Sequence, residues 1–204
     1  MSLSSFIHRW LPGTSSRTLL LLHGTGGDEN DLIPLGQTLD PSASLLSVRG
    51  RVDENGSNRF FRRFQEGVFD QENMRTETEA LAGFVKAAAD EYKFDIEGVY
   101  AVGFSNGANI GASLMIRYPE VLRGGFLMRA MVPFEPSETP ALMGIRVLIA
   151  SGEFDQMVPR MAAERLAAIL VQGGADVEHL WVPVGHKLTR EELDHAKEWL
   201  NLLF

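Results

Sequence analysis

With 204 residues, of which 45% are hydrophobic, the chain is long enough to build one compact domain with a sizeable core and short for two. It holds no cysteine, which excludes disulfides, thiolate metal sites and cysteine nucleophiles. A formal charge of −8 at pH 7 argues against a nucleic-acid partner, and no run approaches the roughly 18 apolar residues that a membrane-spanning helix needs.

Residues 1–10 carry Arg9 and lack a basic region followed by an apolar core, so they do not read as a signal peptide, and cytoplasmic residence is the default expectation. Residues 6–10 suit a short edge strand turned by Pro12-Gly13, and 18–22 is a continuous apolar run suited to a strand buried on both faces. The glycine-rich loop His23-Gly24-Thr25-Gly26-Gly27-Asp28-Glu29-Asn30-Asp31 then opens a helix through Leu35 and Leu39, and residues 45–48 form the next strand. Residues 49–76 read as a long irregular stretch, of the kind that is usually functional or disordered. Its aromatics Phe60, Phe61, Phe64 and Phe69 argue against disorder.

A helix is predicted over 77–92, with Leu81, Phe84, Val85 and Ala88 on one face, and a strand over 99–104. Further strands are predicted at 125–128, 145–150 and 177–182. The helix over 159–171 is stopped by Gly173-Gly174, and Thr189-Arg190-Glu191-Glu192 is a capping-box pattern that starts a last helix. Strands and helices alternating in this way imply the α/β class: a mostly parallel sheet with helices on both faces, in a single domain over 1–204. Residues 133–144 are too few to insert a helical lid between two strands.

The chemistry-bearing segment is Gly103-Phe104-Ser105-Asn106-Gly107, placed where an apolar strand turns into an alanine-rich helix. That is the context of a nucleophile elbow, in which a serine sits in a strained turn and the residues two before and two after it crowd each other, favouring glycine at both. The competing reading is a tight turn whose serine merely caps the helix. In an open α/β sheet, ligands bind outside the carboxyl ends of the strands. Ser105 follows one strand, Asp155 a later one and His186 the last, so three loops converge on one edge. A serine hydroxyl needs a base to become a nucleophile, and that base needs a carboxylate to fix its tautomer. His186 is the candidate base and Asp155 the candidate acid.

Other residues compete for these roles. His23 also ends a strand but precedes Ser105, and supporting the glycine loop is its alternative role. Glu153 lies nearer its strand than Asp155, and Asp176 precedes its strand, at the opposite end. An oxyanion hole needs two backbone N–H groups, one from the residue after the nucleophile and one from the early glycine-rich loop; Asn106 and Thr25 are the candidates. Neither G-x-G-x-x-G nor G-x-x-x-x-G-K-[ST] is present, so a nucleotide-binding reading of the loop is weak.

Leu22 to Asp31, Gly103 to Asn109, the block Gly152-Glu153-Phe154-Asp155-Gln156-Met157-Val158-Pro159 and Gly185-His186 together resemble the signature blocks of the carboxylesterase, acyl-protein thioesterase and phospholipase family of α/β-hydrolases. The likeness is greatest to its short bacterial carboxylesterases. The resemblance implies an α/β-hydrolase fold without a large lid and a serine esterase without a cofactor or metal. In it Ser105, Asp155 and His186 act as nucleophile, acid and base, and Thr25, the residue after His-Gly, donates to the oxyanion. The thioesterase branch usually has glutamine after the serine, where this chain has Asn106.

The expected activity is therefore a carboxylesterase acting on small esters, with a lysophospholipase or acyl thioesterase using the same three residues as the nearest alternative. A non-catalytic ligand-binding protein on the same fold is the alternative from another class. Phe60, Phe61, Met131 and Val132, all in irregular segments that can overhang the strand ends, are the expected pocket residues, with ordinary core packing as the competing reading. Six arginines in residues 49–76 (49, 51, 59, 62, 63 and 75) face five acids, a balance that would favour polar or anionic leaving groups unless the charges are solvated ion pairs. The expected partner is a small-molecule ester; the sequence is compatible with a homodimer and does not decide it.

Overall fold

Thr18–Leu22 is apolar throughout its last four positions, and all five residues are buried, which requires a strand on each side and cover on both faces. The structure, a computed structural model describing residues 3–202, meets both requirements. In chain order its strands and helices are β1 (His8–Leu11), β2 (Thr18–Leu22), α1 (Ile33–Leu39), β3 (Ser44–Val48), β4 (Val52–Glu54), β5 (Ser57–Arg59), β6 (Arg63–Gln65), β7 (Val68–Phe69), α2 (Gln71–Tyr92), β8 (Val99–Phe104), α3 (Asn106–Arg117), β9 (Gly124–Met128), β10 (Arg146–Gly152), α4 (Arg160–Gln172), β11 (Asp176–Val182) and α5 (Arg190–Asn201).

One seven-stranded sheet runs in the order β1-β3-β2-β8-β9-β10-β11. Only the edge strand β1 is antiparallel, to β3; all other pairings in this sheet are parallel. Apolar side chains alternate between the two faces. Leu20, Leu22 and Ala101 join a cluster with α2, α3 and α4, while Leu19, Leu21 and Val102 join a second cluster with α1 and α5. This is the α/β-hydrolase architecture. The segment between β9 and β10 holds neither helix nor strand, so no large lid covers the sheet. No helix among the described residues is long and apolar enough to cross a membrane.

The structure differs from expectation chiefly over residues 49–76. That stretch folds as two short antiparallel hairpins, β4–β5 and β6–β7, and ends inside α2. The first hairpin turns on Asn55-Gly56, with φ of 55° and 84°, and the second has Gly67 at φ 72°; positive φ at both central residues suits the right-handed twist of paired strands. Helix α2 begins at Gln71, six residues before the predicted start at 77, because Asp70 caps it by accepting from the Asn73 N–H at 3.0 Å. Its first turn is largely polar and so carries little apolar periodicity. At the other end of the chain the Thr189–Glu192 capping box forms as the pattern implies.

Candidate active site

Ser105 links β8 to α3 with φ 52° and ψ −113°, a left-handed conformation that costs a non-glycine residue about 1–3 kcal/mol. Its N–H is donated to the Met128 carbonyl of β9 at 2.8 Å, which helps hold the turn. The side chain makes no capping hydrogen bond to α3, so helix capping does not account for the serine. The neighbouring glycines are required by space. A Cβ on Gly103 would lie 2.7 Å from the Ala108 Cα, and one on Gly107 only 2.0 Å from the Leu22 carbonyl oxygen.

At the carboxyl edge of the sheet, the Ser105 hydroxyl lies 3.0 Å from His186 Nε2, and His186 Nδ1 lies 2.8 Å from Asp155 Oδ2. The other Asp155 oxygen accepts from the N–H groups of Met157 at 2.8 Å and Val158 at 3.1 Å, so this almost completely buried carboxylate is fixed in orientation. A carboxylate at Nδ1 places the imidazole proton there and leaves the Nε2 lone pair facing the serine. Such a series can take a proton from the hydroxyl and stabilise the resulting imidazolium. Glu153 is exposed, and Asp176 pairs with Arg146 at 3.2 Å at the opposite end of the sheet; neither reaches His186.

His23 lies elsewhere. Its Nδ1 donates to the Gly24 carbonyl at 2.6 Å and its Nε2 accepts from the Gly50 N–H at 2.9 Å. A backbone N–H can only donate, so the ring is neutral with its proton on Nδ1, and burial pushes its pKa down from the ordinary value. The ring braces the glycine loop against the first residues beyond β3.

Thr25 and Asn106 line the same cleft as Ser105 and His186. Among the described residues neither backbone N–H is donated to another backbone group, and Asn106 is the first residue of α3, where the amides of a helix are free. The β4–β5 hairpin clamps the loop. Arg59 Nη1 donates to Thr25 Oγ1 at 2.6 Å, Gly26 N–H to the Asn58 carbonyl at 2.9 Å, and Asn58 Nδ2 to the Gly27 carbonyl at 2.9 Å. On the other side, Asn106 Oδ1 accepts from the Phe60 N–H at 2.7 Å.

The cleft encloses about 370 Å³, including the part open to solvent. Of the expected pocket residues, only Met131 lines it. Phe60 and Phe61 are fully buried in the core, with the Phe60 ring packed on His23 at 4.8 Å, because the bond from Phe60 to Asn106 draws the chain inward here. Val132 is half-buried and packs on the core, its N–H donated to the Ala162 carbonyl at 3.2 Å. The apolar wall is instead made by Met131, Met157, Val158 and Phe69, and the polar wall by Arg59, Arg63 and Glu66. Adjacency to Asp155 is a sequence signal for Met157 and Val158; Phe69 and Arg59 have no such signal.

Arg129, the residue after β9, carries no sequence signal of a role here; it has φ 55° and is completely buried. Its guanidinium pairs with both oxygens of the equally buried Glu192, at 2.9 and 3.0 Å. It also donates to the Ala150 carbonyl at 3.0 Å, the Gly185 carbonyl at 3.2 Å and the Lys187 carbonyl. The last two flank His186, so one buried cation holds the backbone on both sides of the imidazole.

Residues 61–204 match the Phospholipase/Carboxylesterase family, and the chain belongs to it. MhqD of Bacillus subtilis (strain 168) is 45% identical over 192 residues, covering 94% of this chain and 96% of that protein. Among solved structures, a Bacillus cereus carboxylesterase is 44% identical with a TM-score of 0.95, covering 98% of this chain and 95% of the other. A carboxylesterase from Mesorhizobium loti is 33% identical with a TM-score of 0.91, covering 97% and 95%.

Proposed function

We propose that the chain is a serine carboxylesterase that hydrolyses small carboxylic esters through an acyl-enzyme. The observation that carries this reading is the strained Ser105 elbow with its hydroxyl 3.0 Å from an imidazole whose other nitrogen is 2.8 Å from a buried carboxylate. His186 takes the Ser105 proton as the oxygen attacks the ester carbonyl, and the N–H groups of Thr25 and Asn106 receive the developing oxyanion. The intermediate collapses, His186 protonates the departing alcohol, and an acyl group remains on Ser105. Water, deprotonated by His186, then attacks the acyl carbon, and the carboxylic acid leaves with the serine hydroxyl restored. No step needs a cofactor, and the reading is of one cytoplasmic domain acting on a small molecule. Family membership and likeness to two carboxylesterases support it.

A panel of p-nitrophenyl esters, thioesters and lysophospholipids tests the substrate class. Turnover of short oxygen esters, abolished by Ser105→Ala, is the expected result; turnover confined to thioesters or lysophospholipids would replace this reading with one of the two alternatives.

A further inference from the structure

Four of the six arginines in residues 49–76 are tied to carboxylates. Arg49 meets Glu29 at 2.5 Å, Arg51 meets Glu77 at 2.9 Å, Arg62 meets Asp70 at 3.2 Å, and Arg63 grips Glu54 through two bonds of 3.0 and 2.9 Å. Arg75 is exposed on α2. Arg59 differs from all of these. Its side chain is 3% exposed, yet it lines the cleft beside Ser105 and His186. Its Nε donates to the Phe61 carbonyl at 3.1 Å and its Nη1 to Thr25 Oγ1 at 2.6 Å. The nearest carboxylate oxygen, Glu54 Oε2, is 3.8 Å away and already held in the Arg63 fork. Nη2 has no partner among the described residues, and it is not among the buried polar atoms closed off from solvent.

A buried charge whose nearest counter-charge is a carboxylate 3.8 Å away and shared with a second arginine is incompletely compensated, and burial pushes the Arg59 pKa below its ordinary value. The planar guanidinium is suited to gripping a carboxylate through parallel N–H donors. Here two of its nitrogens are committed to protein oxygens, which fixes the plane, while the third has no hydrogen-bond partner among the described residues in a side chain that lines the cleft.

We propose that Arg59 forms a carboxylate subsite beside the catalytic serine, so that the substrates are esters carrying a free carboxylate a few bonds from the scissile carbonyl. The inference rests on the esterase reading and narrows it. The short distance follows from the Thr25 contact, since the same residue offers its N–H to the oxyanion. A neutral ester leaves the Nη2 face unmatched, whereas a monoester of a dicarboxylic acid, or an ester of a hydroxy acid, places its carboxylate there.

The test compares esters that differ only in charge: monoethyl succinate against ethyl succinamate for a carboxylate on the acyl side, and 4-acetoxybenzoate against 4-acetoxybenzamide for one on the alcohol side, all by pH-stat. In at least one pair the wild-type protein is expected to favour the carboxylate by about 10- to 100-fold in kcat/KM, the range of a hydrogen bond to a charged group. Arg59→Gln is expected to bring that ratio near one and Arg59→Lys to keep part of it. A guanidinium that only positions Thr25 would lower both members of a pair alike and leave the ratio unchanged, which would overturn the proposal. So would a wild-type protein that hydrolyses both members of each pair equally, a result that needs no variant to fold. A wild-type protein that hydrolyses p-nitrophenyl acetate but none of the four esters would overturn the subsite alone; one that hydrolyses neither would overturn the esterase reading and the subsite with it.

Discussion

The proposed chemistry falls to a few side chains whose surroundings leave them little freedom. Ser105→Ala keeps the turn and removes the proposed nucleophile, so kcat is expected to fall by about 10³-fold or more with the melting temperature close to wild type. Near-normal activity in a contaminant-free preparation of that variant would contradict the assignment. His23 makes a different prediction, about stability. Its folded pKa lies below the ordinary 6.5 because burial disfavours the charged ring, and that of His179 is lowered for the same reason. Between the folded and unfolded values the unfolded chain binds more protons, so stability is complete above pH 6.5 and is lost as pH falls from there toward the folded values. The melting temperature should therefore drop between pH 7 and 5, and His23→Gln should make that drop shallower while lowering stability at neutral pH. An unchanged slope in the variant would show that His23 does not couple folding to protons. Ser105, Asp155 and His186 could be named together from the sequence because each follows a strand, and the structure brings all three within hydrogen-bond reach. Arg59 and Arg129 could not. Their partners lie 34 residues away at Thr25 and 63 away at Glu192, distances at which a single sequence carries no pairing signal.

Elements act here mainly by holding loops. Strand β9 is followed directly by Arg129, which reaches across to α5 through Glu192 and to the loop that carries His186 through two carbonyls. Breaking one partner of a fully buried pair leaves the other charge uncompensated, so Arg129→Met is expected to cost about 3–5 kcal/mol by chemical denaturation. Because the loss comes largely from the stranded Glu192, the double variant Arg129→Met with Glu192→Met should recover part of it. It should nonetheless stay impaired in kcat, since nothing then holds the carbonyls beside His186. A double variant no more stable than the single one would argue against that ledger of charge. The β4–β5 hairpin plays the matching role at the glycine loop. Its Asn55-Gly56 turn was a readable hairpin signal, outweighed in the sequence by the absence of alternating apolar residues in such short strands. The parallel strands β2, β8, β9 and β10 were legible for the opposite reason: buried on both faces, they show as apolar runs.

For the whole molecule, the sheet order puts the strands that carry Ser105, Asp155 and His186 into one contiguous half, with β9 and its Arg129 between β8 and β10. The cleft above them is roofed by the two small hairpins and by the loops at Met131 and Met157 rather than by a lid. A long acyl chain would therefore leave methylenes in water, forgoing about 0.8 kcal/mol for each one not buried. On p-nitrophenyl esters kcat/KM is expected to peak at acyl chains of about C2 to C6, because the small cleft can bury no more. A maximum at long chains would favour a lysophospholipase. The fold class was readable from alternation alone, but the shape of the cleft was not: Phe60 and Phe61, aromatic and in an irregular segment, turn inward to the core, and the methionines after Asp155 and β9 face the cleft instead. Whether Ser105 is an activated nucleophile, as proposed, is decided by treating the folded protein with a fluorophosphonate and mapping the adduct by peptide mass spectrometry. Stoichiometric modification of Ser105, slowed by His186→Ala and lost in acid-unfolded protein, is the expected result; an unmodified Ser105 in fully folded protein would contradict it.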